Sequence, residues 1–435
     1  MAQNRAVVIG AGLAGCEAAY QMARRGIKVT LFEQKPVKLS PAHKSGLFAE
    51  IICSNSLRAE GLYNAVGLLK EEMRELGSLI MRAADATRVP AGGALAVDRS
   101  HFAARVTREI IAHENIDVIR EEALFLPEDG VVITAPGPLV EGLLAKDIED
   151  TVGTGMLAFY DAAAPIVMGD SIDMTKAFYG SRYDKGGDDY INCPMDEAQY
   201  RAFYDALVSA EMVKIHGFED NRVFEGCMPV ETMASRGFQT LLFGPLKPVG
   251  LKAPGAERMP YAVVQLRRED KEGRMFNIVG FQTHLRFGEQ QRVFRMIPGL
   301  EQAEFARFGV MHRNTFLASP GILNENYELI KRPGLFFAGQ ITGVEGYVES
   351  ASSGLLAGIF AASDILGMPR PVFSSNTACG ALADYVSHYQ GADFQPMNIT
   401  FGIMNTIDSR AKGKEKKREI SERALEEITR IAQSL

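Results

Sequence analysis

The chain has no tryptophan, only five cysteines among 435 residues, and no apolar run of eighteen residues. Cys16, Cys53, Cys193, Cys227 and Cys379 are odd in number, far apart and form no CxxC pair. That argues against a disulfide framework and against a zinc site. The missing apolar run argues against a membrane-spanning helix. Positive charge is not in excess either: 47 Lys and Arg face 54 Asp and Glu, a net charge of −7. Such a chain does not bind nucleic acid through its overall field, and any such binding needs a local patch. Apolar residues are not scarce. At 46% hydrophobic and 23% charged the composition is that of an ordinary globular protein, which excludes chain-wide disorder. The length calls for two or three folding units. Arg5 and the run Ala6–Ile9 faintly imitate a signal peptide, but glycines and Glu17 follow without a cleavage site, so a cytoplasmic protein is expected.

What is present is glycine, 42 residues of it, and its first cluster carries information. Residues 6–9 read as a buried parallel strand. Gly10-Ala11-Gly12-Leu13-Ala14-Gly15 follows, then Ala18, Ala19, Met22 and Ala23 at helical spacing, with Gly26 placed to end the helix. Ile27–Phe32 is a second strand, and Glu33 closes it 23 positions after Gly10. A GxGxxG alone is weak, but here it follows a strand, opens a helix and has its acid at the second strand's end. Gly10 permits the tight turn, Gly12 lets backbone approach a pyrophosphate, Gly15 allows close helix packing, and Glu33 can take ribose hydroxyls.

Helices are predicted near 66–76 and 98–111, and strands at 117–120 and 131–134. The latter ends in the turn Ala135-Pro136-Gly137-Pro138, where open α/β sheets place ligands. Short strands such as 261–266 and 276–281, and a helix at 197–207, read as an inserted α+β unit. A buried strand then returns at Leu335–Ala338. The expected division is 1–158 and 310–409 for two parts of a doubly wound Rossmann-type dinucleotide-binding domain, 159–309 for the insertion, and 410–435 for a basic tail and helix.

A nicotinamide enzyme usually runs its first doubly wound domain without interruption. Here Ala338-Gly339-Gln340 and Gly346-Tyr347-Val348 instead resemble the second FAD-binding strand end of flavoproteins, with a helix N-terminus aimed at the flavin. Cys53, in Cys53-Ser54-Asn55-Ser56, and Cys227, in Gly226-Cys227-Met228-Pro229, lie in loops where a thiol can act as a nucleophile. Cys16, Cys193 and Cys379 read as structural.

These stretches, with Pro41-Ala42-His43, Leu69–Arg74, Val89–Arg99, Tyr160–Pro165 and Gly309–Phe316, resemble the folate- and FAD-dependent tRNA (uracil-5-)-methyltransferases over nearly the whole chain. One departure is Thr134-Ala135-Pro136-Gly137, where the family usually has Ala-Thr-Gly, so proline removes a backbone donor. The resemblance implies conversion of uridine 54 in the TΨC loop of tRNA to 5-methyluridine. The carbon would come from 5,10-methylenetetrahydrofolate and the electrons from NADPH or NADH through FAD. It implies Cys227 as nucleophile at uracil C6 and Cys53 beside the flavin, with Tyr347 and His312 as stacking partners for flavin, folate or base.

Three rivals are a flavoprotein that builds aminomethyl groups on wobble uridine, a small-molecule FAD oxidoreductase, and a non-catalytic flavin-binding RNA chaperone. A tRNA substrate would need a local basic cluster. Arg267, Arg268, Arg286, Arg292 and Arg295 offer one, and the tail from Arg410 to Arg418 another; the tail reads as peripheral.

Overall fold

The computed structural model describes residues 4–184, 187–213 and 228–435. Its main sheet begins where the β-branched runs predicted it: β1 (Arg5–Ile9) and β2 (Lys28–Phe32) pair in parallel, joined by α1 (Leu13–Ala23). β6 (Ile116–Ile119) extends the sheet beyond β2, and β7 (Val131–Thr134) and β16 (Leu335–Phe337) extend it beyond β1. The order is β16-β7-β1-β2-β6, parallel throughout. Consecutive strands leave β1 on opposite sides, so the carboxyl ends of β1 and β7 open a crevice at a topological switch point.

Two glycines are required by geometry. Gly10 has φ +94°, and a Cβ there would stand 2.3 Å from the Ala135 carbonyl oxygen. Gly354 lies in α9 (Tyr347–Leu366), where a Cβ would come within 2.1 Å of the Ala14 carbonyl oxygen. Without it, α9 could not lie against α1.

Around the sheet stand α2 (Ala65–Glu75), α3 (Leu79–Ala86), α4 (Arg99–Ile111), α5 (Gly142–Val152) and α10 (Ala378–His388). Two fully buried carboxylates tie helix ends together. Glu17 on α1 accepts from the amides of Leu79 (3.1 Å) and Ile80 (2.9 Å) and from the Ser78 hydroxyl (2.6 Å). Glu72 on α2 accepts from the amides of Ala378 (2.6 Å) and Cys379 (2.9 Å). Each satisfies amides at a helix N-terminus that would otherwise lack partners.

A small antiparallel sheet, β3 (Ser56–Ala59), β5 (Ala94–Val97) and β4 (Arg88–Val89), lies between the nucleotide half and the rest. An antiparallel ribbon of β8 (Leu157–Ala162) and β15 (Met311–Phe316) leads to and from a second body with its own hydrophobic core. That body has six antiparallel strands in the order β10 (Phe178–Tyr179), β11 (Tyr190–Met195), β12 (Ala262–Arg268), β13 (Met275–Ile278), β9 (Ile166–Met168) and β14 (Phe305–Arg307). It also has α6 (Glu197–Val208), α7 (Val230–Ser235) and α8 (Phe287–Phe294).

The C-terminal helix α11 (Gly413–Ser434) is packed rather than peripheral. Ile420, Ala424 and Ile428 are buried and α11 lies on α2, while the Ser421 hydroxyl donates to the Leu62 carbonyl at 2.7 Å. Among the described residues no helix is long and apolar enough to cross a membrane.

Candidate active site

The crevice at the ends of β1 and β7 is an open cleft. Gly10, Gly12, Leu13, Ala14 and Glu33 line one side, the turn Ala135–Pro138 another, and Gly339, Gln340, Tyr347 and Ser350 a third. Two long helices start at this cleft, α1 from Gly12 and α9 from Gly346, and neither has a side-chain cap. Their first amides are thus available to anionic groups. No protein atom lies within 4 Å of a Cβ built on Gly12, so the backbone there faces open space. The buried Glu33 carboxylate is fixed by the amides of Ala11 (2.9 Å) and Lys35 (2.9 Å) and still borders the cleft. These features fit a dinucleotide with its pyrophosphate over the α1 N-terminus. Ala11, Gly15, Gly346 and Val348 do not line the cleft; Gly15 and Val348 are buried behind it.

Cys53 sits on the loop 51–55 at the rim of this cleft, and that loop is held from four directions. Arg99, at the start of α4, donates to the carbonyls of Ile51 (2.8 Å) and Ile52 (2.7 Å) and to Glu269 (2.9 Å). Arg307 on β14 donates to the Ile52 carbonyl as well. Arg267 on β12 donates to the Asn55 side-chain oxygen (2.9 Å) and the Ser54 hydroxyl (2.7 Å). Tyr347, the first residue of α9, accepts at its phenolic oxygen from the amides of Ile52 (2.9 Å) and Cys53 (2.8 Å), and that oxygen lies 2.9 Å from Cys53 Sγ.

The electrostatics follow from this packing. Burial opposes the Arg99 charge, and Glu269 more than restores it, so the guanidinium is held above its ordinary value. Burial pulls Arg267 and Arg307 down, though both lie far above neutral pH in the ordinary state. All three interact electrostatically with Cys53. Burial, and then the Cys53 sulfur, push the Tyr347 phenol well above its usual range, so it stays protonated. With two amides donating to its oxygen, the phenolic hydrogen is free to point at sulfur.

A second pocket of about 740 Å³ meets the cleft at Ile52, which lines both. Phe287, Phe305, Phe308, Arg307, Lys44 and His312 contribute to it. The Phe287 and Phe308 rings stack at 4.8 Å, and Phe305 and Phe308 at 5.2 Å. His312 Nε2 is buried with no hydrogen-bond partner among the described residues. Burial, then Arg307, lower its pKa, so the ring is neutral. His43 borders the cleft, 2.6 Å from the Ser40 hydroxyl; burial and then Lys35 bring its pKa down to about 4.

The structure therefore brings Cys53, Tyr347 and the glycine-rich turns together, with His312 in the adjoining pocket. Cys227 lies outside the described residues; Pro229, two positions on, precedes α7. Cys16, Cys193 and Cys379 are buried, and burial pushes all three thiols up, Cys193 to about 12. Arg99, Arg307 and His43 were missed by sequence reasoning, and Arg267 turns out to be a buried support of the Cys53 loop rather than part of a surface cluster.

Fold and cleft together define an FAD-binding α/β protein of the Rossmann type. The structure of Aquifex aeolicus GidA in its form II crystal superposes with a TM-score of 0.72 at 17% identity, covering 99% of this chain and 73% of that one. Residues 5–369 match the family model described as GIDA, glucose inhibited division protein A. The methylenetetrahydrofolate–tRNA-(uracil-5-)-methyltransferase TrmFO of Acetivibrio thermocellus is 61% identical over 94% of both chains. Its counterpart in Desulfitobacterium hafniense is 58% identical over 97% of both. The chain belongs to this family of methylenetetrahydrofolate–tRNA-(uracil-5-)-methyltransferases.

Proposed function

We propose that the chain methylates C5 of uridine 54 in the TΨC loop of tRNA, taking carbon from 5,10-methylenetetrahydrofolate and electrons from NADPH or NADH through FAD, in the cytoplasm. Folate-dependent methylation of a tRNA uracil at C5 is the activity its family carries. The observation that supports the finer reading is the position of the Cys53 loop: three guanidiniums bond the residues beside the thiol, and its Ile52 lies where the dinucleotide cleft meets a second, aromatic pocket.

Uracil C5 is a poor nucleophile. In this reading the Cys227 thiolate adds to C6, forming an S–C6 bond and moving the electron pair onto the C4 carbonyl oxygen as an enolate. C5 then bonds to the one-carbon unit; loss of the C5 proton to a base breaks the bond from that carbon to its carrier nitrogen and leaves an exocyclic methylene, and hydride addition to the methylene restores the C5–C6 double bond and expels the thiolate. FAD, when bound and reduced, supplies the hydride that completes the methyl group. Gly10, Gly12, Leu13 and Ala14 offer backbone to the pyrophosphate, Ala11 holds Glu33 through its amide, and Glu33 takes the ribose. Gly339, Gln340 and the start of α9 face the flavin end. Cys53 acts beside the cofactor, and Tyr347 holds its loop. His312 and the stacked phenylalanines of the second pocket take the flat ring of the folate.

The test is incubation of undermodified tRNA with the flavin-loaded protein, labelled methylenetetrahydrofolate and NADPH, followed by nucleoside analysis. Labelled 5-methyluridine at position 54 is expected, and none with S-adenosylmethionine as sole donor. Transfer from S-adenosylmethionine alone would sink the reading. A tRNA with 5-fluorouridine at position 54 should form a lasting covalent complex that Cys227→Ala abolishes, because fluorine cannot leave C5 as a cation.

A further inference from the structure

The chain as a whole is acidic, yet one short segment is not. Residues 410–418 hold six cations and one acid, a net +5, so the remainder stands at −12 against −7 for the whole. The arginines of the other candidate cluster are already engaged with protein groups, Arg268 over the Tyr179 ring at 6.0 Å among them. Arg267 supports the Cys53 loop, Arg286 pairs with Glu211, Arg292 with Glu289, and Arg295 donates to the Ala303 carbonyl. In the basic segment only Arg418 has an ion pair among the described residues, with Glu422.

The segment opens α11, and cations there oppose the positive end of the helix dipole. The helix keeps them nonetheless. Lys412, Lys414, Lys417 and Arg418 are exposed, and Lys416 is half-buried. Lys414 Nζ lies 5.1 Å from the centre of the exposed Tyr63 ring, and Lys417 Nζ lies 5.7 Å from that of Phe401. An exposed aromatic ring among free cations is the pairing that suits a nucleic-acid strand: charge for phosphate, ring for base or ribose.

The placement also fits. Ser421 bonds Leu62 next to Tyr63, and the chain from Cys53 to Tyr63 is ten residues, at most about 35 Å when fully extended. About ten steps of duplex at about 3.4 Å each cover that distance. The apolar face of α11 is already spent against α2, so the helix has no face left to enter a lipid surface.

We propose that the N-terminal half of α11, with Tyr63, grips the tRNA phosphate backbone away from the target base. This rests on the tRNA-methyltransferase reading and names the surface that reading requires. The contact is electrostatic and indifferent to base sequence, so it serves affinity rather than chemistry.

The experiment uses the full-length, flavin-loaded protein and a variant with Lys412→Ala, Lys414→Ala, Lys416→Ala and Lys417→Ala. Alanine favours helix, and the residues packed on α2 are untouched. Affinity for fluorescently labelled tRNA is followed by anisotropy between about 50 and 200 mM salt. Each lost phosphate contact flattens log K against log salt by about 0.7–0.9, so a change of about three is expected if all four lysines make one, with at least about tenfold weaker binding at the low-salt end. KM for tRNA should rise while kcat holds. A parallel variant with the same four positions changed to Arg should bind like the wild type, which separates charge from folding. Equal slopes for wild type and alanine variant overturn the proposal while leaving the tRNA reading intact. Salt-independent tRNA binding by the wild type overturns the proposal alone, and absent tRNA binding overturns both. Binding to anionic phosphatidylserine vesicles that the alanine variant loses, with tRNA affinity unchanged, assigns the patch to a membrane and also overturns it.

Discussion

The Tyr347 phenolic oxygen lies 2.9 Å from Cys53 Sγ while it accepts the amides of Ile52 and Cys53. The first residue of the helix that faces the cofactor cleft is thus also the fixed point of the thiol loop. Tyr347→Phe keeps the ring and removes the oxygen, leaving amides without an acceptor at about 1–3 kcal/mol each. Turnover should fall by about tenfold or more, since about 1.4 kcal/mol is a factor of ten. Alkylation of Cys53 by iodoacetamide, read by peptide mass spectrometry, should slow. An unchanged alkylation rate would show that the phenol does not act on the sulfur.

Arg267 reaches two neighbours of Cys53 with one planar fork. Arg267→Lys preserves charge but cannot bond both Asn55 and Ser54 in that geometry. The variant should fold and hold flavin, seen in its visible absorbance, yet lose about tenfold or more in kcat, the cost of roughly one charged hydrogen bond. Full activity would show that charge alone suffices.

Gly354→Ala tests the contact of α9 with α1. An added methyl must displace the Ala14 carbonyl, and overpacking of this kind costs about 1–3 kcal/mol. Urea unfolding should show that loss, and flavin should dissociate more readily, because both helices begin at its cleft.

Glu72 should give stability a particular pH dependence. Burial raises its pKa to about 7 in the folded state, against an ordinary value near 4.5. Between those values the native state holds a proton that the unfolded chain has lost, so stability falls as pH rises from about 4.5 to about 7. The full effect is about 3 kcal/mol, reached above about pH 7. Glu72→Gln has no such titration, so the stability of wild type relative to that variant should drop between pH 5 and pH 8 in denaturant unfolding. Parallel curves would refute it.

The nucleotide half was legible in the sequence because its signals are local. Gly10, Gly12, Gly15 and Glu33 stand within one β-α-β unit, and their spacing is the geometry. Gly339 and Tyr347 follow the same logic at the returning strand. Arg99, Arg267 and Arg307 come from three distant segments and share nothing except the loop they hold, so no spacing reveals them. A charge following the apolar start of the strand Ala262–Arg268 was the available hint for Arg267, but Arg268 beside it carries the same charge, and charge pattern does not say which face is covered. The tail was misjudged for a similar reason: Ile420, Ala424 and Ile428 repeat every four residues, yet nothing local says that α2 offers them a surface.

The supports of Cys53 arrive late in synthesis. The loop leaves the ribosome early and Arg99 soon after, while Arg267, Arg307 and Tyr347 are added only as the later segments emerge. An N-terminal portion that begins to fold first therefore carries an ordinary cysteine. Until those segments fold back, the loop lacks Arg267, Arg307 and Tyr347, and the sulfur has neither the two guanidiniums nor the phenol beside it.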